Sequence, residues 1–573
     1  MSHAAPLAPA SAEAEVRMSH REVLEALSGL LLAMFVAMLS STIVSNALPT
    51  IVSDLHGNQT GYTWVVVATL LTMTATTPIW GKLADLFSKK LLVQTALVIF
   101  SIGSIIAGFA NSMGMLIGAR AIQGLGVGGL TALVQVVIAS MVTPRERGRY
   151  SGYLGAVFAL ATVSGPLIGG LLVDTVGWQW CFFAGLPVAV LAFVVLQKTL
   201  HLPVVKREVH IDYLGALLIV GGVSVLLVWV SLGGQQFAWN SALSWALVSL
   251  AVVILGLAVL VEARFAVEPV VPLRLFRDRT TSLATLASVL IGVAMFGSTV
   301  YLSLYFQRAR GMSPTDAGLM SVCMVGGLFV SSIVSGRIIS TTGIWKRWLV
   351  GGMATVIVGI GLLSTIDATI ALWRVGLYMA VLGVGLGATM QNLVLAVQNN
   401  TAQADMGAAS SVVAFFRSLG GSIGISALGA ILAHRVAASL SEGLPALAAL
   451  ARQDPAIGKE LADFQSRTRG GSIPDPNTLG AHVRGLFESA FGDATGRIFL
   501  VALPFAVAAF ICVLFIREVP LRTTIEHEDE LARETAGVAP AAEVTPVGSL
   551  PADPVGSLPE ELDEGVTEGV APR

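Results

Sequence analysis

Charge is scarce in this chain. Only 12% of its 573 residues are Asp, Glu, Lys or Arg, against about 25% in soluble domains, and a soluble globule is excluded. Cysteine is scarcer: Cys181, Cys323 and Cys512 are scattered at or within apolar stretches, which gives neither a disulfide framework nor a zinc spacing and reads as buried free thiols. The histidines, His3, His20, His56, His201, His210, His434, His482 and His527, lie outside those stretches or at their edges. A membrane-embedded enzyme with a histidine base or a histidine-bound metal therefore has no residue to use, and neither enzyme chemistry nor a metal is expected. No Gly-x-x-x-x-Gly-Lys-Ser/Thr loop is present, so ATP is not the expected driver. The net charge of −2 says little about partners.

What the chain has is apolar length. Hydrophobic residues make up 54% of it, and a helix needs about 20 of them in a row to cross a bilayer while satisfying its own backbone. Spans are expected near 24–48, 62–80, 91–110, 115–142, 150–173, 182–200, 213–232, 243–262, 282–304, 316–339, 347–366, 373–397, 407–433 and 496–516. Lysine and arginine concentrate in alternate connections: Lys82, Lys89 and Lys90 after span 2; Arg145, Arg147 and Arg149 after span 4; Lys198, Lys206 and Arg207 after span 6; Arg264, Arg274, Arg277 and Arg279 after span 8; Arg337, Lys346 and Arg347 after span 10. The positive-inside rule then puts both termini in the cytoplasm. Polar residues leading into a full-length first span argue against a signal peptide.

Two segments lie outside this pattern. Residues 434–494 form the long outer connection, in which Leu444–Arg452 and Leu479–Phe491 read as short amphipathic helices around a Pro474-Asp475-Pro476 turn. The tail, 518–573, repeats Pro-Val-Gly-Ser-Leu-Pro at 546 and 554 and carries too little apolar surface to fold, so it is expected to be disordered and cytoplasmic.

Three motifs carry chemistry. After span 2 comes Gly81-Lys-Leu-Ala-Asp85-Leu-Phe-Ser-Lys89-Lys90: a glycine permits a tight turn, Asp85 can cap a helix N-terminus or pair with a base across an interface, and the two lysines anchor the loop inside. Span 4 holds Leu116, Arg120, Gln123, Gly124, Gly126, Gly128 and Gly129. An arginine within a span is costly and faces a cavity or a partner, while glycines let a neighbouring helix come close. Span 5 runs from Gly152 through Ala161 to Gly165-Pro166-Leu-Ile-Gly169-Gly170, a proline with glycines that kinks a helix and leaves a flat small-residue face.

Together these resemble the three signature motifs of the drug:proton antiporters of the major facilitator superfamily, and fourteen spans resemble their longer, multidrug-exporter branch. Leu39-Ser-Ser-Thr42-Ile-Val-Ser-Asn46-Ala47-Leu48-Pro49, at the end of span 1, fits the same branch. The resemblance implies an all-α membrane protein of two six-helix halves with an inserted helix pair: a cytoplasmic segment at 1–21, a first half at 22–200, linker and inserted helices 7 and 8 at 201–270, and a second half at 271–517 that includes the outer hairpin. It also implies a substrate cavity between the halves and alternating access by their rocking. The second half carries only a worn copy of the loop motif, Gly336-Arg337 through Gly343 to Lys346-Arg347.

Three positions depart from the family pattern. Ser88 and Ala161 stand where glycine is usual, and Ser40 where many members have an aspartate; the last removes the obvious intramembrane proton site. No acid lies at the middle of any expected span, so Asp85 or Asp174 near helix ends is expected to carry the proton. The candidate cavity residues are Ser40, Thr42, Asn46, Gln123, Gln135, Gln307, Gln391, Asn392 and the second buried charge, Arg417. The expectation is an exporter of amphipathic small molecules in the bacterial cytoplasmic membrane. It is driven by the proton gradient without a bound cofactor, and protons and membrane lipids are its other partners, with no nucleic acid and no ATP. Export of a lipid or of a self-made natural product, or a membrane scaffold or sensor, are the rival readings. Parity gives the first prediction: reporters fused after Gly470 should be active only if exported and those after Thr524 only if cytoplasmic, because one span separates them. The same side at both sites would break the count of fourteen.

Overall fold

The computed structural model describes residues 20–57, 59–200, 212–234, 236–468 and 476–522. The first five spans are α1 (His20–Asp54), α2 (Gln59–Leu86), α3 (Lys89–Gly108), α4 (Met113–Met141) and α5 (Pro144–Thr175). The sixth is split into α6 (Trp180–Phe183) and α7 (Leu186–Thr199): Pro187 lacks the N–H that would bond back to the last turn of α6. The inserted pair is α8 (Tyr213–Leu232) and α9 (Ala242–Arg264), followed by a 3-10 turn at Leu273–Arg277. The second half comprises α10 (Arg279–Arg308), α11 (Pro314–Thr342), α12 (Lys346–Leu363), α13 (Leu372–Asn400), α14 (Met406–Ala451), α15 (Pro455–Thr468) and α16 (Ala481–Phe515). With α6 and α7 counted as one, 14 helices are long and apolar enough to cross a bilayer, and every expected span has its helix. Short polar residues start many of them: Ser112, Asp212, Ser241, Asp278 and Ser313 each accept a bond from a first-turn N–H.

The outer connection differs from expectation. Leu444–Arg452 and Leu479–Phe491 are mostly not separate helices; α14 and α16 simply run on through them. Gly443 of α14 sits against Leu486 of α16, and Phe464 of α15 packs edge-on to Phe487 at 6.4 Å between centroids. Mutual packing of this kind sustains helices past the bilayer. Pro474 and Asp475 lie outside the described residues, and Pro476 opens a short 3-10 turn, Pro476–Thr478. Glu518 to Arg522, assigned by the sequence to the tail, are bonded to the second half instead. Glu518 accepts the N–H groups of Trp345 and Lys346, both at 3.0 Å, at the start of α12. Asn399 of α13 takes the Arg522 N–H at 3.0 Å and donates to the Pro520 carbonyl at 3.1 Å. Residues 1–19 and 523–573, with the repeat, lie outside the described residues.

Each half has its own core. One apolar cluster draws only on Leu275 to Leu521, and two others only on Val23 to Leu200. A fourth, small cluster joins Ala75 of α2, Ile219, Val223 and Leu227 of α8, Ala258 of α9 and Phe415 of α14. Within the halves, close helix approach rests on glycine. In α13, Gly383 and Gly387 press on the α11 backbone at Met324 and Leu328, an approach any side chain would block. Gly383→Val should therefore overpack the second half and cost about 1–3 kcal/mol, read as a lowered melting temperature of the purified protein. Unchanged melting would show that α11 and α13 can part without loss.

Candidate functional site

The two halves meet along α2 with α14 and along α5 with α11. The α2/α14 seam is built around Asp85. Its carboxylate accepts the N–H of Gly407 at 2.7 Å and of Ala408 at 2.9 Å, the donors that the first turn of α14 leaves without intrahelical partners. An anion at this position also meets the positive end of the helix dipole. The residue that precedes α14, Asp405, makes no cap with its own side chain, so the acid from the other half supplies the cap. Small residues make the approach possible: Gly81 sits directly on Ser411 and on the Gly407 carbonyl, leaving no space for a side chain. Lys90 reaches the Gln197 carbonyl at the end of α7, 2.7 Å away, and Lys89 opens α3. Ser88, the departure from glycine, has φ −56°, which any residue adopts.

The α5/α11 seam repeats the logic with opposite charge. Arg145 donates to the carbonyls of Ser340 and Thr341, at 3.0 and 2.9 Å, at the C-terminal end of α11, where a cation is favoured; that helix stops at Gly343, whose φ of 73° suits glycine. Beside it the buried Arg147 bonds the carbonyls of Val142 and Ala139 and the amide oxygen of Gln398, 2.8 Å away in α13. Gln398 in turn donates to Ser410 of α14 at 2.8 Å. Deeper in, Gln135 of α4 donates to Gln391 of α13 at 3.0 Å. Apart from this deeper pair, the bonds between the halves gather at the Asp85 end of the molecule.

The motif of span 5 serves two seams. Gly152 packs on Ile333 of α11, across to the other half, whereas Gly165 packs on Thr42 and Gly169 on Ile43, both of α1. The Thr42 hydroxyl is engaged with the Ala161 carbonyl at 3.2 Å as well as with its own helix. Helix α5 is unbroken through Pro166, and Gly170 is half-buried. The side chains of Asn46, Pro166 and Asp174 lie outside the described residues.

Arg120 is buried at 5% exposure. It donates to Gln123 at 2.9 Å, and Gln123 donates to Ser104 of α3 at 2.7 Å. Its Nε has no bonding partner among the described residues, and neither has the hydroxyl of the buried Ser40. Arg417 is half-buried in α14 and, among the described residues, forms no hydrogen bond or ion pair to the first half. Asn392 bonds back to the Ala388 carbonyl of its own helix at 2.6 Å, and Gln307 to Ser303 at 3.1 Å. The candidates therefore divide: Gly81, Asp85, Gly152, Gln135 and Gln391 meet across the seams, while Arg120, Gln123, Thr42, Gln307 and Asn392 bond within their own half.

Sequence reasoning misses half of the latch. Along the chain Arg145 and Arg147 read only as topology markers, although Thr143-Pro144-Arg145-Glu146 is a helix-start signature; Glu146 does turn back onto Thr143, and that places both arginines on the first turn of α5. Gly407, Ala408, Ser410 and Ser411 sit in a small-residue run that hydropathy treats as span.

Two separately cored six-helix halves, joined by a polar seam and accompanied by an inserted pair, define a transporter-type membrane fold. The chain belongs to the Major Facilitator Superfamily, whose model matches residues 30–425. It is 32% identical to the multidrug transporter protein MdtP of Bacillus subtilis, over 92% of this chain and 98% of that one. It is 35% identical to the efflux pump dotC of Dothistroma septosporum, over 87% and 84%. Among solved structures, the proton:xylose symporter XylE shares the fold with a TM-score of 0.55 at 13% identity, covering 89% of this chain and 99% of that one. The human organic anion transporter MFSD10 does so with a TM-score of 0.53 at 12% identity, covering 84% and 99%.

Asp85→Asn tests the latch without reference to transport. The amide retains one acceptor oxygen and turns an NH2 toward the second N–H, so one charge-assisted bond worth about 1.5–3 kcal/mol is lost. The melting temperature of the purified variant should fall; parity with the parent would remove Asp85 from the seam's energetics.

Proposed function

We propose that this protein is a secondary active exporter of amphipathic small molecules, working by proton antiport with alternating access in the bacterial cytoplasmic membrane, with both termini and the Asp85 end cytoplasmic. One observation carries the reading: apart from a small cluster shared through α8, the halves have separate apolar cores, and at one end they are held together by hydrogen bonds to helix termini. Water can replace such bonds when the seam opens, whereas an interdigitated core would resist separation. The multidrug transporter and the efflux pump, related over most of the chain, support the choice of cargo.

On this reading the structure is latched at the cytoplasmic end, and the halves rock about the small-residue faces of α5 and α2. Arg120 and its Gln123–Ser104 chain stiffen the first half, and its spare N–H is offered toward whatever acid or solute approaches. With no acid at the middle of a span, the proton falls to Asp85 or Asp174. Two arginines and no central carboxylate make the interior a poor host for cations, so neutral or anionic amphiphiles are the favoured cargo.

Dye accumulation decides it. Cells carrying the protein should hold less of a neutral fluorescent dye than cells without it, a protonophore should erase the difference, and Arg120→Ala and Asp85→Asn should each abolish export while the protein stays in the membrane. Equal accumulation with and without the protein would sink the exporter reading. Robust export of a permanently cationic dye, unaltered by neutralising Asp85 and Asp174, would overturn the view of the interior.

A further inference from the structure

The inserted pair bridges the seam that Asp85 latches. Helix α8 packs against both sides of it, in one apolar cluster with Leu71, Ala75 and Ile79 of α2 and Phe415, Phe416 and Leu419 of α14, and α9 packs on α8. The connection that follows, residues 265–278, crosses the same seam at the Asp85 end. Glu262, at the end of α9, accepts the N–H groups of Val270 at 3.0 Å and Val271 at 2.9 Å and so folds this linker back. Glu268 pairs with Lys82 of α2 at 3.3 Å, and Arg274 pairs with Asp405, at the threshold of α14, at 2.8 Å. Phe276 stands edge-on to Phe416 at 6.2 Å. Between the two ion pairs a cavity of about 410 Å³ is left, lined by charged residues from both sides.

We propose that this linker is a strut across the gate, with Glu268 and Arg274 as positioning residues that hold the seam shut through Lys82 and Asp405. The proposal rests on the rocking of the halves set out above. Pro269 and Pro272 lie between the two ion-paired residues and restrict the backbone there, so the strut cannot stretch when α2 and α14 part. One pair has to release. The Lys82–Glu268 pair is enclosed on both sides, with side-chain exposures of 10% and 21%, whereas the second pair joins an exposed Arg274 (68%) to an enclosed Asp405 (11%). Water already solvates Arg274 and reaches Asp405 once the cation swings away, while release of the first pair would leave two enclosed charges to be hydrated. The linker therefore travels with α2, and Arg274–Asp405 is the catch that opens. The inserted pair thereby carries a fixed-length arm from one half to the other.

The test reads the seam itself. Ser411, fully buried against Gly81, is replaced by cysteine in a chain whose Cys181, Cys323 and Cys512 are changed to alanine, and its alkylation is followed in inside-out vesicles with a membrane-impermeant maleimide. Arg274→Glu, which sets two acids face to face, should raise the labelling rate severalfold, while Arg274→Lys should match the parent. Raising the ionic strength should speed labelling in the parent, because an exposed pair is screened, and should have a smaller effect in Arg274→Ala. Equal rates in parent, Arg274→Glu and Arg274→Ala at both salt concentrations would overturn the strut. That result would leave the exporter reading untouched, since labelling reports opening and not cargo; equal dye accumulation with and without the protein, with these rates still different, would sink the exporter reading and leave the strut standing.

Discussion

A carboxylate from one half seated on the first turn of a helix from the other, Asp85 on Gly407 and Ala408, is the contact on which the arrangement turns. Helix termini are the places in a bundle where backbone donors and acceptors lack partners, so a side chain that reaches them gains bonds that no neighbour competes for. The opposite end of the logic is Arg145 on the carbonyls of Ser340 and Thr341. Acid on an N-terminus and base on a C-terminus hold the halves with correct polarity, and neither requires the two apolar cores to merge. Close approach depends on residues without bulk, since a side chain at Gly81 would collide with Ser411.

The two buried arginines of the first half illustrate different uses of one group. Arg147 directs its donors to the last carbonyls of α4 and to Gln398, so its burial is compensated and it acts as a rivet beside the seam. Arg120 reaches only Gln123 and keeps Nε without a bonded partner. A donor left unpaired inside a protein carries a penalty of about 1–3 kcal/mol, which the first half bears at Arg120 and avoids at Arg147. That contrast distinguishes the two arginines more clearly than burial does, since both are 5% exposed.

The elements outside the bilayer follow the same pattern. Continuations of α14 and α16, with Phe464 of α15 against them, form a small helical cap, and the segment from Glu518 to Arg522 binds α12 to α13 at the Asp85 end. Each is fastened through a helix terminus or an aromatic contact, so the spans keep their hydrophobic faces for lipid and for each other.

The number and order of the spans were legible in the chain, because apolar runs long enough to cross a bilayer admit only helices, and the motifs of spans 2, 4 and 5 were legible because Gly81, Asp85, Arg120 and Pro166 are conspicuous in an apolar setting. Where each helix ends was not: α14 runs to Ala451 because α16 lies beside it, a fact about neighbours in space. Nor were the partners. Asp85 was recognisable as an acid able to cap a helix or pair with a base, but nothing along the chain says that the helix begins more than 300 residues later at Met406, or that Glu268 and Arg274 stand beside it. Hydropathy and motif are properties of consecutive residues and survive in one dimension; complementarity between a charge and a distant helix end exists only once the chain has folded.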